Sequence, residues 1–264
     1  LGVLRGSHIG NTNDLKNALI SDVPLFTEPT FSYDIEEPKQ QVSHHLIKMK
    51  SKYFFDDNQY LEFVLASQIN DRKEFDVRKL ERSVIPSLSL KQYTNNVELK
   101  YSRDFSNGWK FNVGNQNIIT DNTNDPDTDI LPLIPDYLSF RSGIYSTLAK
   151  SWTKTSFSAG LRYDFEDQSV AAISRGVIKE IIRYDNIFQN FGGVFGLKYE
   201  LSNTQKLSFN SGFAMRNPGI NELYSNGLHQ GVSGIEEGDP DLKTEKAIKN
   251  TLEYNWVPSP KFSL

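Results

Sequence analysis

Four side chains with ligand chemistry fall within fourteen residues: Arg216, Glu222, Tyr224 and His229. A guanidinium carries a permanent charge and a rigid fork of donors. Arg216 can therefore hold an anion, or pair with Glu222 or Glu245. The Tyr224 ring can stack on a flat ligand or sit at an interface. A neutral His229 imidazole is a metal ligand by type. Two other clusters invite metal chemistry and lack the geometry for it. His44 and His45 are neighbours, and successive strand residues face opposite sides. The acidic run Asp121–Asp129 has the alternate spacing of a calcium loop. It places Ile130 where the turn glycine belongs, so it reads as a solvated loop. No metal centre or cofactor is expected.

The remaining chemistry is defined by exclusion. There is no cysteine, which removes thiolate metal sites, disulfides and cysteine nucleophiles. The chain holds no phosphate loop, dinucleotide fingerprint, HExxH pair or G-x-S-x-G elbow. Nothing places an acid and a base around one bond, Glu236-Glu237 included. An enzyme is not expected. Lys plus Arg number 29 against 33 Asp plus Glu, with no basic block, so nucleic acid is not an expected partner.

The elements that would position these residues alternate with period two. Phe157, Ala159, Leu161, Tyr163 and Phe165 are apolar, against Ser156, Ser158, Gly160, Arg162 and Asp164. The same pattern runs through 61–69, 207–215 and 248–256. Each segment has room for about ten residues, the length of a tilted strand crossing a bilayer. Spanning helices are excluded, because the longest apolar runs have four residues. Near Ser87 the alternation changes phase: Leu88 and Leu90 are even, Val97 and Leu99 odd. A β-bulge, or a strand that leaves the membrane before the flip, would explain this.

Tight polar turns fall at 56–59, 105–108, 151–154, 201–204 and 257–260, about every 50 residues. Long irregular stretches lie between them, near 71–86, 118–136, 167–187 and 217–243. Short and long connections that alternate predict an up-and-down barrel with short periplasmic turns and long external loops. Aromatics gather at the short-turn end: Tyr53, Phe54, Phe55, Tyr101, Phe105, Trp109, Trp152, Tyr199 and Trp256. There they would form an interfacial girdle. The predicted fold is all-β, an antiparallel transmembrane barrel of which this chain supplies about ten strands. The competing reading of these residues is a soluble sheet with an aromatic core.

Phe213 to Trp256 resembles the late-barrel signature of TonB-dependent outer-membrane receptors. The matching residues are Arg216-Asn217-Pro218, Glu222-Leu223-Tyr224 and Gly238-Asp239-Pro240-Asp241-Leu242-Lys243-Thr244-Glu245. Asn217 stands where that family usually has alanine, and Asp239 where it usually has asparagine. Ser7–Asn11, Asp71–Asp76, Leu133–Tyr137 and Ala159–Asp164 are similar too. The resemblance is closest to receptors for iron complexes. It implies a Gram-negative outer membrane, a barrel of about 22 strands and an N-terminal plug. It implies that residues 1–264 are part of the barrel domain, with the plug, the TonB box and the barrel C-terminus outside this sequence. The implied partners are a ferric siderophore or other iron complex, TonB acting through the plug, and outer-membrane lipid.

In such a receptor Arg216, Glu222, Tyr224 and His229 are the implied ligand-binding residues, on an external loop from Asn217 to Asp241. Five glycines would make that loop adaptable, so that it orders on ligand or plug. A histidine between the two boxes is an axial-ligand candidate in haem receptors of this family, which makes a haem receptor the nearest alternative. A passive or adhesive barrel without a plug is another. A soluble glycan-binding β protein is the last.

Overall fold

The computed structural model describes residues 20, 22, 38–76, 82–174, 177–229 and 234–258. Among these residues the chain is mostly β. The main-sheet strands are β1 (Lys39–Asp56), β2 (Gln59–Phe75), β3 (Leu88–Asp104), β4 (Trp109–Asn124), β5 (Asp136–Ser151), β6 (Thr155–Ile173), β7 (Ile181–Ser202), β8 (Gln205–Arg216) and β11 (Glu245–Trp256). Nine strands form one sheet in the order β1-β2-β3-β4-β5-β6-β7-β8-β11, every pair antiparallel. Between β8 and β11 lie a short helix, α1 (Ile220–Tyr224), and a separate hairpin, β9 (Asn226–His229) with β10 (Gly234–Glu237). The sheet is open, and β1 and β11 are its edges. Among the described residues the sheet holds nine strands, in agreement with the expected partial barrel. The expected irregular loop between Asn217 and Asp241 instead contains helix and hairpin.

Four tight turns fall where the sequence places them. Gly108 adopts φ +85°, a left-handed conformation that glycine takes without steric cost. Its N–H donates to the Phe105 carbonyl at 2.9 Å. The fifth turn extends past Pro258 outside the described residues, where the Ser7–Asn11 stretch also lies.

The register sorts side chains into two faces. Row partners put Phe157, Leu161, Phe165, Leu207, Phe209, Phe213, Leu252 and Trp256 on one side. Arg162, Lys206, Lys249 and Glu253 occupy the other. Burial is inverted relative to a soluble sheet. Leu161 on the apolar face is 75% exposed, whereas Glu166 on the polar face is 3% exposed. A soluble sheet buries its apolar face on a core. This one crowds its polar side chains together and leaves the apolar ones bare, as a barrel wall facing lipid must. Among the described residues no layer packs on the apolar face of the sheet, as a soluble sheet would require.

The crowding on the polar face uses small residues as gaps. Arg162 lies across Gly143, pairs with Asp164 at 2.6 Å and reaches Gln116 on β4 at 3.2 Å. Tyr145 lies across Gly114 to donate to Glu98 on β3. Glu62 gathers Lys50, Lys52 and Lys100 at 3.1, 3.3 and 3.2 Å.

Strand length exceeds what a bilayer needs. β6 has 19 residues and β7 has 22, against about 9–11 for a crossing. On the outward face the apolar band of β6 stops at Phe165, and Asp167 follows. Asp71, Lys91, Asp121, Arg183 and Asp185 continue the same outward rows beyond the band. The strands thus extend past the membrane as an external rim. That resolves the phase change in β3. Leu88 and Leu90 pair with Glu74 and Arg72 in an unbroken register. There is no bulge, and these leucines belong to the rim, where lipid no longer sets the alternation.

At the other end the aromatics form a belt on the outward face. Trp152, Trp109, Phe157, Phe195 and Phe209 follow edge to face or tilted, at 5.9, 6.0, 5.7 and 6.4 Å. Phe54 departs from the girdle: it pairs with Tyr60 on the polar face.

Candidate functional site: the external clamp

The β8–β11 connection is built from the two motif boxes. Pro218 lies two residues past the end of β8, and Gly219 precedes α1. The Glu222 carboxylate accepts from the Gly219 N–H at 2.6 Å, closing the helix start. The same carboxylate takes two hydrogen bonds from Arg216, at 2.8 and 3.1 Å. Arg216 Nε donates to Glu245 at 3.0 Å, tying the end of β8 to the start of β11. The guanidinium is thus shared by two carboxylates, although its side chain is 61% exposed.

The backbone completes the clamp. Gly238 N–H donates to the Ser225 carbonyl at 2.6 Å, and Asp239 N–H to the Glu222 carbonyl at 2.9 Å. Leu223 is 1% exposed beneath them. A Cβ on Gly238 would come within 2.5–2.7 Å of the Leu223 and Tyr224 backbone. Backbone cannot move aside as a flexible side chain can. Gly238→Ala is expected to destabilise this connection by about 1–3 kcal/mol. The readout is faster protease cleavage between 219 and 240 in the otherwise intact receptor; unchanged cleavage would refute the close approach.

Hydrogen bonding from Arg216, then from the Gly219 amide, holds the Glu222 carboxyl below the usual carboxylate range. A depressed folded value means that the stabilisation is full above the ordinary carboxylate range. It is lost as pH falls through the folded value. Protease cleavage of the same segment is therefore expected to accelerate on acidification below about pH 4, and to do so less in Glu222→Gln.

A second, buried node joins the clamp to the barrel wall. Glu166 accepts from Arg141 at 2.8 and 3.2 Å, from Gln168 at 2.9 Å and from Asn217 at 2.7 Å. Asn217 in turn accepts from Asn190 at 2.7 Å and Thr244 at 3.1 Å. Asn217 is the residue that replaces the family's usual alanine. That departure was the one sequence signal for this node; Arg141 and Glu166 carried none.

The structure brings Arg216 and Glu222 into contact. Tyr224 lies apart from them: its ring stacks on Tyr184 at 4.5 Å, and its hydroxyl bonds Asn186 at 2.8 Å. The His229 backbone pairs with Gly234 at the end of the hairpin. Tyr224 lines a cavity of about 300 Å³ with Ile182, Tyr184, Leu223, Pro135 and Pro240. A second cavity of about 290 Å³ adjoins Tyr137, Arg141, Glu166 and Asn217. His44 and His45 fall in opposite rows, facing Asn70 and Ile69. Asp125 accepts from Asp127 N–H at 3.0 Å and caps a local turn. Among the described residues no three His, Asp or Glu side chains converge as metal ligands.

Residues 7–259 match the family model for the TonB-dependent receptor-like β-barrel. Solved structures with the same fold include the copper transporter OprC, with TM-score 0.66 and 14% identity over 84% of this chain and 38% of that one. The ferric-catecholate import receptor Fiu of E. coli K12 aligns with TM-score 0.61 and 12% identity, over 97% of this chain and 43% of that one. The hemophore receptor HasR of Serratia marcescens aligns at 0.53 and 11%, over 83% and 40%. This chain therefore spans well under half the length of each. No curated protein matches it. The inverted burial, the hairpin order and the family match agree: the chain belongs to the TonB-dependent receptors and forms part of their outer-membrane β-barrel.

Proposed function

We propose that this chain is the barrel segment of a receptor that takes up a ferric siderophore or related iron complex, with TonB acting through a plug outside residues 1–264. The observation that carries the proposal is the clamp between β8 and β11. It holds a helix, a hairpin and two cavities at the external end of the polar face, where an incoming ligand arrives first. Within this reading Arg216 and Glu222 bind ligand indirectly, by fixing the loop, because each already satisfies the other's charge. Tyr224 and the Tyr184 ring beside it offer an aromatic wall for a flat chelating group. His229 lies at the hairpin tip. The ferric-catecholate receptor among the similar folds supports an iron complex; the hemophore receptor supports haem.

The deciding experiment is His229→Ala in the full-length receptor. Growth on a ferric siderophore is expected to stay nearly intact. Loss of growth on haem alone would replace the siderophore assignment with haem, since an axial iron ligand would be gone. Receptor identity would stand in either case.

A further inference from the structure

We propose that the periplasmic rim of the outward face binds an anionic phospholipid of the inner leaflet. Lys150 and Arg103 hold its phosphate, and one acyl chain lies in the groove over Gly193.

The rim is defined by the tight-turn ends of the strands. Its outward residues from β2 to β11 include Leu61, Tyr101, Phe111, Thr155, Tyr199 and Trp256. From β2 to β11 the charged outward positions at this rim are Arg103 and Lys150, both cations; on β1, Asp56 shares the row of Arg103 across Gln59 and accepts from the Gln59 amide at 2.6 Å. Asp104, next to Arg103 in the chain, belongs to the other face and pairs with Lys110 at 3.6 Å. Each outward cation lies over aromatic rings. Lys150 Nζ is 5.1 Å from the centroids of both Trp109 and Trp152, and Arg103 is 4.8 Å from Phe105. Neither has a carboxylate partner among the described residues. Aromatic faces orient a cation without neutralising it. Both charges thus remain available at the depth of the headgroups, where anionic lipid attracts Lys and Arg.

The two cations suit one phosphate. They are two strands apart and offset by one row, about 12 Å between backbones. Two long side chains can close that gap.

The second observation is independent of charge. Toward the bilayer centre, the outward face between β4 and β8 has a groove of about 500 Å³, lined by Val113, Ile144, Leu161, Phe191, Gly193 and Phe213. It exists because Gly193 shares a row with Leu161 and Phe213, and supplies no side chain between them. Ser146 opens its lower end. Lys150 lies four residues down the same strand, roughly 13 Å away. A phosphate at Lys150 therefore places its acyl chain at the groove's mouth. A lipid chain is the occupant because the groove lies inside the apolar band, where no water or polar ligand is available to fill it.

The test uses the full-length receptor in detergent, titrated with phosphatidylglycerol or phosphatidylcholine and read by native mass spectrometry. Phosphatidylglycerol is expected to bind in preference. Lys150→Gln with Arg103→Gln should weaken it about 25-fold, at roughly five-fold per cation, and abolish the preference. Gly193→Leu, whose Cβ meets Leu161 and the Gly160 carbonyl at ordinary contact distances, should weaken both lipids alike. Millimolar inorganic phosphate should displace neither. Equal binding of the two lipids, a preference that survives the double substitution, or full displacement by free phosphate would each overturn the proposal.

Discussion

Leu161→Arg is expected to cost the receptor roughly 2–4 kcal/mol of folding stability in a bilayer. Leu161 is the middle residue of the apolar run Phe157–Phe165, and so stands near the bilayer midplane. Its row neighbours are Gly193 and Ser146, so an arginine there meets lipid rather than a partner. The measurement is denaturant unfolding of the full-length receptor in liposomes. The control is Ser208→Arg, on the opposite face between Glu253 and Lys198, where one neighbour attracts and the other repels the new charge, and which is expected to stay within about 0.5 kcal/mol. Equal costs at the two positions would refute the assignment of faces.

Arg141→Leu has the other large expected effect, about 3 kcal/mol. It leaves the Glu166 carboxylate buried with neutral donors only: Gln168, Asn217 and the Ser139 hydroxyl at 3.4 Å. Removing one partner of a buried pair costs about 3–5 kcal/mol, because the remaining charge is uncompensated. The low end applies here, since Arg141 is itself half exposed and three donors remain. Adding Glu166→Gln should recover most of the loss, because a neutral amide tolerates burial and can still accept from Asn217. Thermal unfolding of the two variants gives both numbers. A double variant no more stable than Arg141→Leu would show that the charge is not what matters. The node also anchors the residue next to Arg216, so Arg141→Leu should loosen the external clamp although it lies on β5.

At Asn217 the local motif meets packing from distant strands. Arg216, Pro218, Glu222, Gly238 and Glu245 lie in one strand–loop–strand unit, near enough in sequence for Glu222 and Glu245 to be candidate partners of Arg216. Asn217 differs. Its partners are Glu166, Asn190 and Thr244, one of them 51 residues away.

What the sequence determined by itself was the wall. Strand side chains alternate with period two, and lipid on one side demands apolar residues at every second position. Phe157–Phe165 and its counterparts therefore reveal strand, face and span without any long-range information. The tight turns set the order of the hairpins for the same local reason. Beyond the membrane that demand ends, and legibility ended with it. Leu88 and Leu90 lose phase there, and β7 runs on to 22 residues through sequence that reads as loop. The α1 helix and the β9–β10 hairpin stand in what reads as an adaptable, glycine-rich stretch. Tertiary structure alone decided these, because their stability comes from contacts between segments distant in the chain: Asn226 N–H on the Leu133 carbonyl at 3.1 Å, Tyr224 on Tyr184, and Leu223 under Gly238. It also decided that Arg216 is a paired charge. Two carboxylates, six and 29 residues away, converge on it only when β8 and β11 lie side by side.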